Sequence, residues 1–325
     1  MNKLLKIGVS ALAGSLALTA ANAIEMSVSG SAGGALSSGD DTGKTTGYQF
    51  DSVVFSASGT TEGGINVSAS MELDNDNPAT TDGMDDRSFS FGTDALGTVT
   101  FSGHGGTSVM GAWDDVTPNA YEEVWDTTTG ADSRIDGISG DNLFSYASPT
   151  FEGLQFRAAY QPTATDTGTG NGKTISAYND WGISYSPSMV EGLSVGYATG
   201  EMHESTTVSV DHKTWYVKYA YGPVTVAYQE HEADGSTAAT TDESQVWGIS
   251  YAVSENFSVA YGERDYDDNT SSSAAGSLEQ NDSGFSASYT MGGMTIAGHM
   301  NSSDNVGGAA TADRDSFELA LSFDF

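Results

Sequence analysis

The chain has no cysteine among its 325 residues, only 6 prolines, and 11 Lys and Arg against 44 Asp and Glu. Without cysteine there is no disulfide framework. The formal net charge of −33 argues against nucleic-acid binding by phosphate neutralisation, because an acidic surface repels the polyanion that a binder must attract. Long apolar runs are scarce as well. A single one, at the amino terminus, rules out a bundle of membrane-spanning helices. Leu, Ile, Val and Phe together number only 56, which at this charge falls in the compositional range of unfolded chains. The aromatic content speaks against disorder, since 13 Phe, 15 Tyr and 5 Trp are too many for a solvated tail. Their placement in the chain decides between the two.

Residues 1–23 read as a targeting segment. Lys3 and Lys6 precede an apolar, small-residue stretch from Ile7 to Thr19, and Ala21-Asn22-Ala23 offers small residues at the two positions a signal peptidase inspects. The apolar stretch is too short to span a bilayer, which takes about 20 residues. Cleavage after Ala23 removes two lysines and leaves residues 24–325 with nine basic and 44 acidic groups, a formal charge of −35. An exported chain without cysteine fits a bacterial envelope better than a eukaryotic secretory route.

The remainder alternates in period two. At its end Phe317, Leu319, Leu321, Phe323 and Phe325 alternate with Glu318, Ala320, Ser322 and Asp324, which puts five large apolar groups on one face of a strand. The same phase recurs in Ile65–Leu73, Leu154–Tyr160, Leu193–Tyr197, Val224–Tyr228 and Phe257–Tyr261, with Ser, Thr, Gly, Ala, Asn and Gln on the other face. Incoming strands end in Tyr146, Tyr185, Tyr219, Tyr251 and Tyr289, each followed by a short turn, an outgoing strand and a long polar segment. This predicts eight hairpins of about 36 residues, hence sixteen strands, with short connections at one end and long ones at the other. In the second strand Tyr48/Phe50 and Val53/Phe55 are out of phase, which predicts a bulge. Strands of about 10 residues, apolar on one face and small and hydrophilic on the other, with aromatics at their ends, suit a tilted transmembrane sheet. Closing that sheet satisfies every backbone donor and acceptor without water. The expected fold is all-β, a 16-stranded antiparallel transmembrane barrel.

The signal segment, the tyrosine-ended hairpins and the terminal strand Phe317–Phe325 together resemble the general diffusion porins of Gram-negative outer membranes. The acidic, cysteine-free, glycine-rich character looks most like the porins of photosynthetic and marine alphaproteobacteria. The resemblance implies a water-filled channel for passive diffusion of small hydrophilic solutes and ions, a homotrimer, and outer-membrane lipid and lipopolysaccharide as surroundings. For Phe317, Leu319, Leu321, Phe323 and Phe325 it implies recognition by the outer-membrane barrel assembly machinery. It also implies that the loop after the fifth strand folds into the lumen as the constriction.

Residues 107–141 match that loop. They form the longest stretch without period two and carry Asp114, Asp115, Glu122, Glu123, Asp126, Asp132, Asp136 and Asp141 against Arg134 alone. A structureless excursion of this length is functional or disordered. Met110, Trp113, Val116, Tyr121, Val124 and Trp125 favour a packed loop over a solvated extracellular one. Strand parity turns Arg157, Lys218 and Arg264 inward, along with His104 and His299, and the resemblance assigns Arg157, Arg134, Lys218 and Arg264 to the basic pore wall. The crowded arginine ladder of that family is not evident here. Net charge predicts cation preference. A substrate-selective channel is the nearest alternative and a secreted β-rich adhesin a more distant one; parity puts few aromatics inward, Tyr216 among them. No motif carries catalysis, the five histidines being scattered, and no cofactor is implied. Asp74 and Asp76, or Asp265 and Asp267, offer oxygen donors for weak calcium binding, although the glycine of the calcium-loop template is replaced by Ala79 or Thr270.

Overall fold

The computed structural model describes residues 24–39, 44–74, 86–124, 139–162, 164–165, 174–175, 177–203, 209–235, 241–267 and 278–325. Residues 1–23, expected to be a targeting segment, lie outside them. Sixteen antiparallel strands close into one barrel. They are β1 (Glu25–Gly39), β2 (Lys44–Thr60), β3 (Asn66–Asp74), β4 (Arg87–Thr93), β5 (Gly97–His104), β6 (Leu143–Ala147), β7 (Leu154–Gln161) and β8 (Ala177–Tyr185). They continue as β9 (Leu193–His203), β10 (Ser209–Tyr221), β11 (Val224–Gly235), β12 (Thr241–Ala252), β13 (Phe257–Asp267), β14 (Gln280–Met291), β15 (Met294–Asp304) and β16 (Arg314–Asp324). The barrel closes where β1 pairs with β16, from Ser31 opposite Asp324 to Gly39 opposite Ser316.

Alternation fixes the two faces. Phe317, Leu319, Leu321 and Phe323 are exposed on the outside, whereas Glu318 and Ala320 between them are buried on the inside. The nine residues Phe317–Phe325, at about 3.3 Å each and tilted about 40°, rise about 20 Å, close to the apolar band of an outer-membrane barrel. The strand-end tyrosines Tyr185, Tyr219, Tyr251 and Tyr289 all lie on the exposed outer face. A row of aromatic contacts stands above them, including Trp181 on Tyr197, Trp215 on Tyr228 and Trp247 on Tyr261.

The tight ends depend on glycine. Gly153 and Gly192 have φ of 89° and 86°, which residues with a Cβ rarely adopt. A Cβ there would meet the carbonyl oxygens of Ser186 and Ala220 at 2.1 and 2.0 Å. Each turn thereby docks against the end of the neighbouring strand, and the Gly153 and Gly192 carbonyls accept from the Ser186 and Ala220 amides.

The expected bulge in β2 is absent. β1 and β2 pair without interruption from Glu25 opposite Ser58 to Gly39 opposite Lys44. The register shift lies instead between Arg87 and Ser88 in β4. Tyr48 and Phe50 are out of phase because they point inward: the Phe50 ring covers Gly33, where a Cβ would meet it at 2.4 Å, and the Tyr48 hydroxyl donates to inward-facing Glu318. Aromatic groups belong on the lumen side wherever something there needs to be filled or held.

Candidate channel constriction

The barrel's packed core lies between the loop after β5 and the inner wall. Val109, Met110, Trp113 and Val116 of the loop form one buried cluster with Leu143, Ala159, Tyr178, Ala198 and Tyr216. Gly106–Thr107 and Ser139–Gly140 pair as a two-residue ladder at the base of the loop, and Gly111–Val116 winds one short 3-10 helix.

Polar groups of successive strands then hold the loop along the wall. Asp180 of β8 accepts from the Met110 amide and the Tyr178 hydroxyl through one oxygen, at 2.8 and 2.9 Å. Gln229 of β11 donates to the Trp113 carbonyl at 3.0 Å, and Trp113 meets Tyr216 edge to face with ring centroids 5.1 Å apart. Further on, Ser286 of β14 accepts from the Ala120 amide, Asn301 of β15 donates to the Glu123 carbonyl, and Tyr121 stacks on His299 and donates to Glu318 of β16. The loop thus runs inside the barrel from β8 to β16.

Inward glycines make room for it. A Cβ on Gly182 would sit 2.8 Å from Val109 Cγ1 and 2.9 Å from Trp113 Cη2, and one on Gly248 would sit 3.0 Å from the Pro118 carbonyl oxygen. Val124 lies against Gly262 in the same way. Between Thr117–Val124 and β12–β15 the remaining cavity is about 20 Å³, room for about one water. In its described part, residues 107–124, the loop packs against the wall, with Met110, Trp113, Val116 and Val124 buried.

The anchors of the described part of the loop fall on β8–β16, and the wall beyond them is β1–β5. Register carries the inward face across it through Ser27, Ser29, Ser31 and Ser37, then Tyr48, Phe50, Ser52, Val54, Ser56 and Ser58, Asn66, Ser68, Ser70, Glu72 and Asp74, and Ser88, Ser90, Thr98, Thr100 and His104. Hydroxyls bond across it, as in the pairs Ser68 with Ser90 and Ser37 with Thr46. A closed sixteen-strand barrel that holds a packed loop against part of its inner wall, and carries mainly hydroxyls and carboxylates on β1–β5, has the form of a channel.

A sequence profile described as Gram-negative porin matches residues 8–277. The chain belongs to that family. Solved structures share the fold at low identity. An anion-selective porin from Comamonas acidovorans superposes with a TM-score of 0.72 at 14% identity, over 93% of this chain and 100% of the other. A multiply substituted variant of Rh. blastica porin gives 0.67 at 14%, over 92% and 100%. A loop-deleted outer-membrane protein of Vibrio cholerae gives 0.66 at 12%, over 94% and 100%. No curated protein matches in sequence. Family and fold place this porin in the bacterial outer membrane as a channel, not an enzyme.

The porin's predicted site residues divide into three groups. Asp114 is exposed on the loop, and Glu122 and Glu123 are half-buried, Asn119 donating to Glu123 at 3.2 Å. Of Asp115 only the backbone, within the 3-10 helix, is described. Asp126, Asp132, Asp136, Arg134 and Asp76 lie outside the described residues. Arg157 and Lys218 point inward and are half-buried; Arg157 lies in register with Gly182 and donates to Gln155, and Lys218 lies one inward position from Tyr216. Arg264 also points inward but is 1% exposed, bonded to Asp282 and 5.6 Å from the Tyr266 ring, with Asp114 adding to its favourable field. It acts as an internal staple and not as a water-facing wall charge. Asp265 and Asp267 face outward at the top of β13, Asp74 faces inward on β3, and among the described residues no three metal-ligating side chains converge.

Sequence reasoning missed the anchors. Tyr178, Asp180, Gln229 and Glu318 are large polar residues at inward positions of strands whose inner faces are mostly Ser, Thr, Gly and Ala, and that size contrast was the available signal. It also undercounted inward aromatics: Tyr48, Phe50, Tyr178 and Tyr266 join Tyr216, although Tyr178, Tyr216 and Tyr266 are buried.

Proposed function

We infer that this porin is a passive, cation-preferring channel for small hydrophilic solutes. The reading is supported by the acidic groups inside the barrel: the loop carries Asp114, Glu122 and Glu123, and inward Glu72 and Asp74 lie on β3, whereas inward Arg157 and Lys218 lie on strands of the loop-covered side. The same fold serves an anion-selective porin, so preference comes from these side chains and not from the barrel. Fixed carboxylates at a narrow waist raise the local cation concentration, whereas charge on the outer surface is screened within about 8–10 Å. Asp126, Asp132, Asp136 and Asp115 add to the negative side and Arg134 opposes them. In a salt gradient across a planar bilayer the reversal potential should be shifted towards that of the cation; a shift towards the anion contradicts the reading.

The functional form is a homotrimer joined through β1 and β2. On the outer face of these strands Ala32 lies opposite Asp51 and Gly34 opposite Gln49, flanked by Gly30 opposite Val53 and Gly47 opposite Leu36. Asp51 and Gln49 are exposed at the level of Phe323 and Leu321 respectively, within the apolar band. A carboxylate facing hydrocarbon at that depth is unfavourable, and small residues let another subunit approach closely. Residues 1–23 are removed on export, and Phe317, Leu319, Leu321, Phe323 and Phe325 are read by the barrel assembly machinery before the chain reaches lipid and lipopolysaccharide.

A further inference from the structure

Glu318 has both carboxylate oxygens engaged, by hydroxyls from two distant parts of the chain. Tyr121 OH donates to Oε1 at 2.5 Å, and Tyr48 OH donates to Oε2 at 2.9 Å. Tyr121 belongs to the far end of the loop's run along the wall, and Tyr48 belongs to β2, on the wall beyond the anchors. His299, in register with Glu318, stacks on the Tyr121 ring at 5.8 Å. Glu318 is buried, with 8% of the residue exposed. The neighbouring anchors, Ser286 to the Ala120 amide and Asn301 to the Glu123 carbonyl, hold the loop's backbone against β14 and β15. The Glu318 contacts carry this part of the loop past the seam between β16 and β1 to β2.

We propose that Glu318 is a positioning residue for permeation: it ties Tyr121 to Tyr48, closes the gap between the loop's end and β2, and so fixes that edge of the aperture. This rests on reading the lumen as the diffusion path and adds the residue that sets its width. A hydrogen bond to a charged acceptor is stronger than a neutral one, so losing it shifts the docked-to-undocked ratio of the loop's end by about tenfold or more.

The test is single-channel recording of the full-length mature chain, with Tyr121→Phe, Glu318→Gln and the double variant, alongside liposome swelling with neutral solutes of graded size. Tyr121→Phe removes one loop hydroxyl and leaves every strand intact, so it decides the matter even if Glu318→Gln impairs assembly, which unheated gel migration would reveal. The expected result is brief transitions to a wider level about tenfold more frequent in either single variant, as for loss of one charge-assisted bond. The size limit should rise, and the double variant should behave like Glu318→Gln because both changes break the same contact. Parent-like transitions and size limit in Tyr121→Phe, or strictly additive effects in the double variant, would overturn the proposal. A parent chain that forms no conductance at all overturns the channel reading, and with it this assignment.

Discussion

At the residue scale, Asp180 shows how the inner wall controls the loop. One buried oxygen accepts from a loop amide and a wall phenol, so replacing the side chain leaves the Met110 amide without this acceptor and the Tyr178 hydroxyl still beside Ser108, at a buried site. Asp180→Ala should cost about 1–3 kcal/mol of loop docking, the usual penalty for buried donors left unpaired. Limited proteolysis of the folded barrel should then cut within residues 108–116, where the parent resists; equal resistance would remove Asp180 from the anchoring set. Gly182 tests the same contact from the steric side. Gly182→Val adds a branched group where even a Cβ lies 2.8 Å from Val109, so the loop must move off the wall, and the open-channel conductance must change while the barrel still assembles. Unchanged conductance would mean that the first part of the loop does not border the aperture.

At the element scale, strands and loop differ in how far the chain itself reveals them. Strand positions were legible because period-two alternation is a property of each segment alone; the strands read over Phe317–Phe325 and Leu193–Tyr197 need no knowledge of a partner. Faces became ambiguous only where an inward residue was itself aromatic, as with Tyr48 and Phe50, for which a bulge was the local explanation and a contact with Glu318, 270 residues away, the actual one. That the loop is packed was legible from its buried Met110 and Trp113. Its path was not, since Gly182, Gly248 and Gly262 announce only that something comes close, not what does. Arg264 is a related case: parity gave its direction correctly, but its partner Asp282 sits on another strand. The terminal strand closes the barrel beside β1, where the Gly30 amide donates to the Phe325 carbonyl at 2.8 Å and the Phe325 ring covers Gly30. Deleting Phe325 removes both, and we expect a several-fold drop in folded barrel recovered from outer membranes, read as loss of heat-modifiable gel migration. Undiminished assembly would show that the terminal aromatic is dispensable.

At the scale of the whole molecule, a composition that resembles disorder becomes that of a hollow wall. One residue in two faces lipid, the other faces water or the loop, and the 44 carboxylates divide between the strands and the segments that join them. The outer face of β1 and β2 breaks the apolar pattern, and Asp51→Arg should therefore convert trimers to monomers in unheated gels without loss of the folded barrel. Persistent trimers would move the interface elsewhere. The central claim is that the acidic groups of the loop make the channel cation-preferring, and the most direct test is the reversal potential in a tenfold salt gradient before and after Asp114→Asn, Glu122→Gln and Glu123→Gln are combined. The parent should show a potential of the cation's sign that shrinks towards zero in the triple variant and at high ionic strength. An anion-signed parent, or a triple variant with unaltered potential, would contradict it.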